Sequence, residues 1–179
     1  SAGNIPGAMA LKVDPMVLVD LAKKVNPVAV ISGTNGKTTT TNLVADCLQT
    51  AGVPLYCNRE GNNLQSGIVT SLMLAPDTSK VVDAASAAQA PVGCFECDEM
   101  YTKYVLPRLR PHYFMLLNLF RDQLDRFGEI DRIQATIAEA LAKTPETTFV
   151  FTGDDPLCAA IADRIPNKSL AFGIASDMG

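Results

Sequence analysis

An apolar run at 28–31, V-A-V-I, stops at Ser32-Gly33, and apolar periodicity resumes only after Gly36-Lys37-Thr38. That order predicts a strand, a glycine loop and a helix, with the loop at the C-terminal end of the strand. Gly33 and Gly36 let the backbone curl so that several N–H groups converge, and no Cβ blocks an approaching anion. The helix beginning near Lys37 adds its unpaired N–H groups and the positive end of its dipole. Lys37 can neutralise β- and γ-phosphate charge, and the Thr38 hydroxyl is placed to ligate a nucleotide's Mg²⁺. The general motif, G-x-x-x-x-G-K-[ST], wants glycine at position 31, where this chain has Ile31. The loop is therefore the shorter form G-T-N-G-K-T. A chance Gly-Lys-Thr in an ordinary βα turn would lack the preceding strand, the paired glycines and the helix. The loop reads as a nucleotide site.

With 179 residues, 47% of them hydrophobic, the chain can bury a core without staples. A net charge of −4 and the absence of any clustered Lys/Arg run argue against a nucleic-acid surface. Nothing reads as a signal peptide or a membrane span, since runs such as 113–117 are far too short. The chain starts at Ser1 and stops just past an apolar run, which suggests a piece of something longer. Five cysteines, odd in number and scattered through apolar segments, suit reduced thiols in a cytoplasm. Cys94 and Cys97 form a C-x-x-C, but on a strand residues three apart point to opposite faces. Buried small hydrophobes explain that pair better than a redox or zinc site.

Taken in order, residues 1–11 are small and turn-rich and carry no readable chemistry. Asp14-Pro15 predicts a helix start, with Val17, Leu18, Leu21, Ala22 and Val25 at helical spacing. The expected division is an N-terminal segment, 1–27, with one helix packed on a domain formed by 28–179. In the helix after the glycine loop, Leu43, Val44, Cys47 and Leu48 form the expected buried stripe, closed by Gly52. A short strand at 53–57 leads into N-R-E-G-N-N, 58–63, at a strand end where open α/β sheets bind ligands. A plain surface turn would have the same composition. A helix is expected over 66–74 and an unpatterned excursion over 76–91.

The strand at 92–95 runs straight into Glu96-Cys97-Asp98-Glu99. Acids at the end of a core strand, after a phosphate loop, hold a nucleotide's metal or water; they also cap helices. Glu96 is assigned to the metal, and Asp98 and Glu99 to capping of a helix over 98–106. A strand at 112–118 precedes the charged loop 118–128, followed by an amphipathic helix marked by Ile130, Ile133, Ile137, Ala138 and Leu141. A strand at 147–151, a helix at 156–165 and a strand near 169–172 complete the chain. Strands alternate with helices throughout, so the expected fold is α/β, a doubly wound, mostly parallel sheet. The lone His112 opens a strand away from the functional edge and reads as structural.

The T-N-G-K-T-T loop, the acidic strand end and N-x-x-x-D-x-x-D together resemble the central ATPase domain of the Mur ligase family. N-R-E-G-N-N-L-Q-S-G, F-E-C-D-E and N-L-F-R-D-Q-L-D-R-F-G-E are similar to its MurT-type branch. The resemblance spans nearly the whole chain. It implies the ATP-binding domain of a cytoplasmic amide ligase of peptidoglycan synthesis, with ATP and Mg²⁺ as cofactors. Such ligases activate the D-glutamate α-carboxylate of lipid II, at the cytoplasmic membrane face, as an acyl phosphate. A glutaminase subunit of the GatD type then supplies ammonia. The implied nucleotide residues are Gly33, Thr34, Asn35, Gly36, Lys37, Thr38 and Thr39, with Asn118, Asp122 and Asp155. The implied metal ligands are Thr38 and Glu96, and no catalytic residue is implied within this stretch.

Broader Mur ligases carry a metal-ligating histidine in the D-H-x-D of this loop, where this chain has Gln123. Relatives also often have valine in place of Cys97, a difference of packing. The resemblance further implies a cysteine-rich insertion and a C-terminal domain beyond this stretch, which alone would bind nucleotide without completing the reaction. A folylpolyglutamate-type ligase domain shares the ATPase core but should lack the 118–129 wording. A GTPase-like switch matches at Asp125-x-x-Gly128, yet its guanine-reading N-K-x-D fails at Asn167-Lys168-Ser169-Leu170. A non-catalytic nucleotide-binding scaffold is a third alternative.

Overall fold

The computed structural model describes residues 4–81, 89–120 and 128–174. Six strands form one sheet in the order β2-β3-β1-β4-β5-β6, and every neighbouring pair runs parallel. They are β1 (Val28–Ser32), β2 (Leu55–Cys57), β3 (Val92–Glu96), β4 (Tyr113–Leu116), β5 (Thr148–Thr152) and β6 (Ser169–Phe172). The helices among the described residues are α1 (Ile5–Val13), α2 (Val17–Ala22), α3 (Lys37–Thr50), α4 (Gln65–Met73), α5 (Thr102–Leu109), α6 (Glu129–Ala142) and α7 (Pro156–Ala162). This is the doubly wound parallel sheet that the strand–helix alternation predicts.

Burial is nearly continuous along the central strands β1 and β3 because both faces of the sheet are covered. On one face Val30, Phe95, Phe114 and Phe149 join Leu18 of α2, Ile68 of α4, Leu106 of α5 and Ile137 of α6 in the main core. On the other face Ile31, Leu55 and Cys94 pack with Ala45 of α3. Cys94 and Cys97 thus lie in different clusters, on opposite sides, as their spacing requires. All five cysteines are free thiols. Burial pushes Cys97 well above the ordinary thiol range, and burial together with Asp155 does the same to Cys158.

Three local expectations are corrected. The first segment carries two helices rather than one, because residues expected to be irregular form α1. Asp14 does not cap a helix directly: its carboxylate accepts from the Met16 N–H in a turn, and α2 begins at Val17. In α3 the buried positions are Thr41, Ala45 and Gln49, whereas Leu43 is 63% exposed and Cys47 is also exposed. Val44 and Leu48 only partly join the core. His112 behaves as expected of a structural residue, since its Nδ1 accepts from the Val28 N–H at 3.2 Å. Part of the excursion is ordered by pairing: Asp77 forms an antiparallel bridge with Leu55.

Candidate functional site

Chain direction across the sheet reverses at β1. The loop after β1 leads outward towards β2, and the loop after β4 leads the opposite way towards β5. The ends of β1 and β4 therefore diverge and leave a crevice between them, the place where open α/β sheets take ligands. The glycine loop, 33–36, fills one side of that crevice. Gly33 (φ 139°) and Gly36 (φ 83°) both have left-handed backbones, and Gly36 is the N-cap of α3. A Cβ on Gly33 would stand 3.1 Å from the Asn118 backbone N and O and from the Leu117 Cβ, so the loop lies hard against the end of β4.

Asn118 fastens this contact. Its Oδ1 accepts from the Asn35 N–H at 2.9 Å and its Nδ2 donates to the Asn35 carbonyl at 3.0 Å. Its own carbonyl accepts from the Thr34 N–H at 3.1 Å. The Phe120 N–H donates to the Thr34 hydroxyl at 3.1 Å. The Asn118 side chain thus holds the loop, a role not read from the sequence pattern. The reciprocal pairing of an amide with a peptide group explains why asparagine suits the position.

Lys37 opens α3 and folds back over the loop, donating to the Gly33 carbonyl and, at 3.3 Å, to the Thr34 carbonyl. It also lies 3.5 Å from the Glu99 carboxylate, and both side chains are largely buried. Glu99 is thus the counter-charge of Lys37, a role not read from sequence; the capping belongs to Asp98, which accepts from the Met100 N–H. Thr38 stands at the surface and donates its hydroxyl to Glu96 at 2.8 Å. Glu96, the last residue of β3, is only 2% exposed. Among the described residues no cation pairs with it. A buried carboxylate satisfied by one hydroxyl is poorly compensated. Carboxylate and hydroxyl side by side make an all-oxygen donor pair, the chemistry a hard divalent cation requires. Thr39 lies on the first turn of α3 and is exposed.

Beyond Asn118, a cleft of about 550 Å³ is lined by Leu119, Phe120, Thr152, Asp154, Asp155 and Pro156, among others. Asp155 is already occupied. One carboxylate oxygen accepts from the Leu157 N–H at 2.9 Å and caps α7; the other accepts from the Leu119 N–H at 2.8 Å. It binds the ends of β4 and β5 together. Asp155→Ala should therefore lower stability by about 1–2 kcal/mol, the scale of a lost N-cap, and Asp155→Asn by less, because one acceptor remains. Thermal melting of both variants checks this order, and equal melting temperatures would refute it. Asp122 and Gln123 lie outside the described residues.

A parallel, doubly wound domain with a clasped glycine loop, a lysine and a buried acid at its switch point is a scaffold suited to phosphate-bearing ligands. The chain belongs to the Mur ligase family: residues 31–178 match the family model for the Mur ligase middle domain. It is 35% identical over 169 residues to the MurT subunit of lipid II isoglutaminyl synthase (glutamine-hydrolyzing) of Staphylococcus aureus strain N315, covering 94% of this chain and 36% of that one. The Streptococcus pneumoniae MurT subunit is 34% identical over 176 residues, covering 98% of this chain and 37% of its own. The chain thus spans little more than a third of the length of these relatives. Among solved structures, MurF ligase from Thermotoga maritima in complex with ADP superposes with a TM-score of 0.65 at 20% identity. That match covers 90% of this chain and 36% of the MurF chain, and at that identity it shows the fold.

Proposed function

We propose that this chain is the ATP-binding domain of an ATP-dependent amide ligase of peptidoglycan precursor synthesis, of the MurT type. The observation that carries the reading is the convergence of Lys37, Thr38 and Glu96 on one side of the glycine loop. Sequence similarity to MurT subunits along nearly the whole chain supports the finer assignment. The substrate would be lipid II, its D-glutamate α-carboxylate the group activated, and a GatD-type glutaminase the partner that delivers ammonia. All of this takes place on the cytoplasmic side.

In this reading bound MgATP supplies the phosphoryl group that makes the carboxylate reactive. The chain's own residues hold and orient it. Peptide N–H groups of Gly33 and Gly36 and the α3 N-terminus would surround the phosphates, with Thr34 and Asn35, whose N–H groups are held by Asn118, shaping the loop and Thr39 at the rim. Lys37 would exchange the Gly33 and Thr34 carbonyls for phosphate oxygens. Thr38 and Glu96 would hold Mg²⁺. Asn118 would act by keeping the loop in shape, and Asp122 and Asp155 would bound the nucleotide side of the crevice.

The test is binding of an ATP analogue with Mg²⁺ and with EDTA. Glu96→Gln should lose most of the gain that Mg²⁺ brings, because a neutral amide is a poor ligand for a hard cation. Affinity in EDTA should stay near the parent value. Equal Mg²⁺ dependence in parent and variant would remove Glu96 from the metal site.

A further inference from the structure

We infer that Asn58 is a positioning residue for Glu96, and that it fixes the 58–63 loop to the strand end bearing the proposed metal ligand. The inference rests on the nucleotide-metal reading and adds a residue to it. Pairing of β2 with β3 runs from Leu55↔Val92 to Cys57↔Cys94 and stops there. On the other side of β3, the backbone beyond Glu96 remains attached to β1, since the Cys97 N–H donates to the Ile31 carbonyl at 2.9 Å. In a parallel ladder, alternate residues present both backbone groups to the same neighbour. Cys97 faces β1, so the N–H and C=O of Glu96 face the space that β2 has just vacated. Unfilled, that space would leave two polar groups buried at a residue 2% exposed.

The Asn58 side chain fills it. Its Oδ1 accepts from the Glu96 N–H at 2.8 Å, and its Nδ2 donates to the Glu96 carbonyl at 2.8 Å. The second Nδ2 proton goes to the Asn62 carbonyl at 2.9 Å. One carboxamide thus continues the ladder where the strand has ended, with both donors and its acceptor in use. Aspartate could make only the first of these bonds, and alanine none.

The same side chain pins the turn that follows. The Asp98 N–H donates to the Asn63 carbonyl at 2.8 Å, tying the loop to the other side of Glu96. A Cβ at Gly61 would stand 3.6 Å from the Thr38 hydroxyl, so the loop passes directly over the Thr38–Glu96 pair. Ser32, at the end of β1, completes the support by donating its hydroxyl to the Cys97 carbonyl at 2.8 Å. The Glu96 carboxylate is held at Thr38 by a backbone fixed from both sides, and Asn58 supplies one of those sides.

The experiment compares the Kd of an ATP analogue with Mg²⁺ and with EDTA for the parent, Asn58→Ala, Asn58→Asp and a matched control. The control is Asn167→Ala. Asn167 is also buried and donates to two carbonyls, of Thr144 at 2.8 Å and Thr147 at 3.0 Å, on the side of the domain away from the glycine loop. Asn58→Ala should reduce the Mg²⁺-dependent gain in affinity by about tenfold, the lower end of the effect of removing a metal site's outer supports. Asn58→Asp should fall between Ala and parent, and EDTA affinities should stay within about twofold of the parent.

Asn167→Ala should lower the melting temperature without changing the Mg²⁺ ratio. A parent-like ratio in the Asn58 variants, or an equal fall in the control, would show that Asn58 matters only to stability and would overturn the inference. Hydrogen exchange on the parent gives an independent check. The Glu96 amide should exchange as slowly as the amides of Cys94 and Phe95, and rapid exchange there would refute the clamp without any variant. A parent with no Mg²⁺ dependence would remove the nucleotide-metal reading, and the inference with it.

Discussion

Lys37→Ala is expected to weaken MgATP binding by about 2–4 kcal/mol, roughly 30-fold to several hundred-fold. The lysine side chain is 13% exposed and is held over the loop by two carbonyls and Glu99. Removing it takes a largely buried positive charge away from the glycine loop. It also strands Glu99, whose side chain is 11% exposed, and stability should fall as well. The double variant Lys37→Ala/Glu99→Gln separates the two effects. It should regain the melting temperature lost by the single variant and none of the affinity. Calorimetric titration alongside thermal melting makes the comparison. Unchanged affinity in a folded Lys37→Ala would take Lys37 out of the site.

Phe114→Ala should cost about 3–5 kcal/mol of stability, the range for truncating a fully buried aromatic. Phe114 is 0% exposed and sits on β4, between β1 and β5. Its ring stacks on Phe149 with centroids 6.0 Å apart, and Phe149 stacks on Phe151 at 5.1 Å. No small rearrangement fills the hole, because the neighbouring strands are fixed in register on both sides. A loss of this size is a large part of the 5–15 kcal/mol typical of a folded domain. Urea unfolding of the parent and variant measures it, and a difference under about 1 kcal/mol would show that the core relaxes far more readily than its packing implies.

Sequence reasoning reached the glycine loop, Lys37, Thr38 and Glu96 because each is tied to the chain's local pattern: strand, turn, helix, strand end. It missed features decided by long-range contact. Pro6 and Gly7 make the first segment look irregular, yet Gly7 is where α1 crosses α4; a Cβ there would come within 1.9 Å of the Ser66 carbonyl oxygen. The residue that breaks the helical pattern is the one the packing needs. On α3, apolar periodicity pointed to Leu43 and Cys47, but the close approach to the sheet is made by the smaller Thr41 and Ala45. Gln49 is buried there with polar partners, accepting from Arg59 at 2.6 Å and donating to Asp77. The roles of Asn58, Glu99 and the Asn118 amide were equally hidden, since each depends on a partner between 38 and 83 residues away in the chain.

The strand order has a consequence for how the chain is made. β1 and β2 emerge first, yet they are not neighbours; β3 lies between them. While a ribosome has delivered only the first 91 residues, neither strand has a partner with which to form the sheet. Val28, Val30, Ile31 and Leu55, all buried in the finished domain, then lie on strands that lack their neighbours β3 and β4. At about 5–20 residues per second, that interval lasts several seconds, a window in which nascent chains aggregate or recruit chaperones. Arrival of β3 zips both strands at once, and β4 must follow before the glycine loop has anything to lean on. A ribosome-bound chain stalled before Asn118 would carry the whole glycine loop without the amide that clasps it.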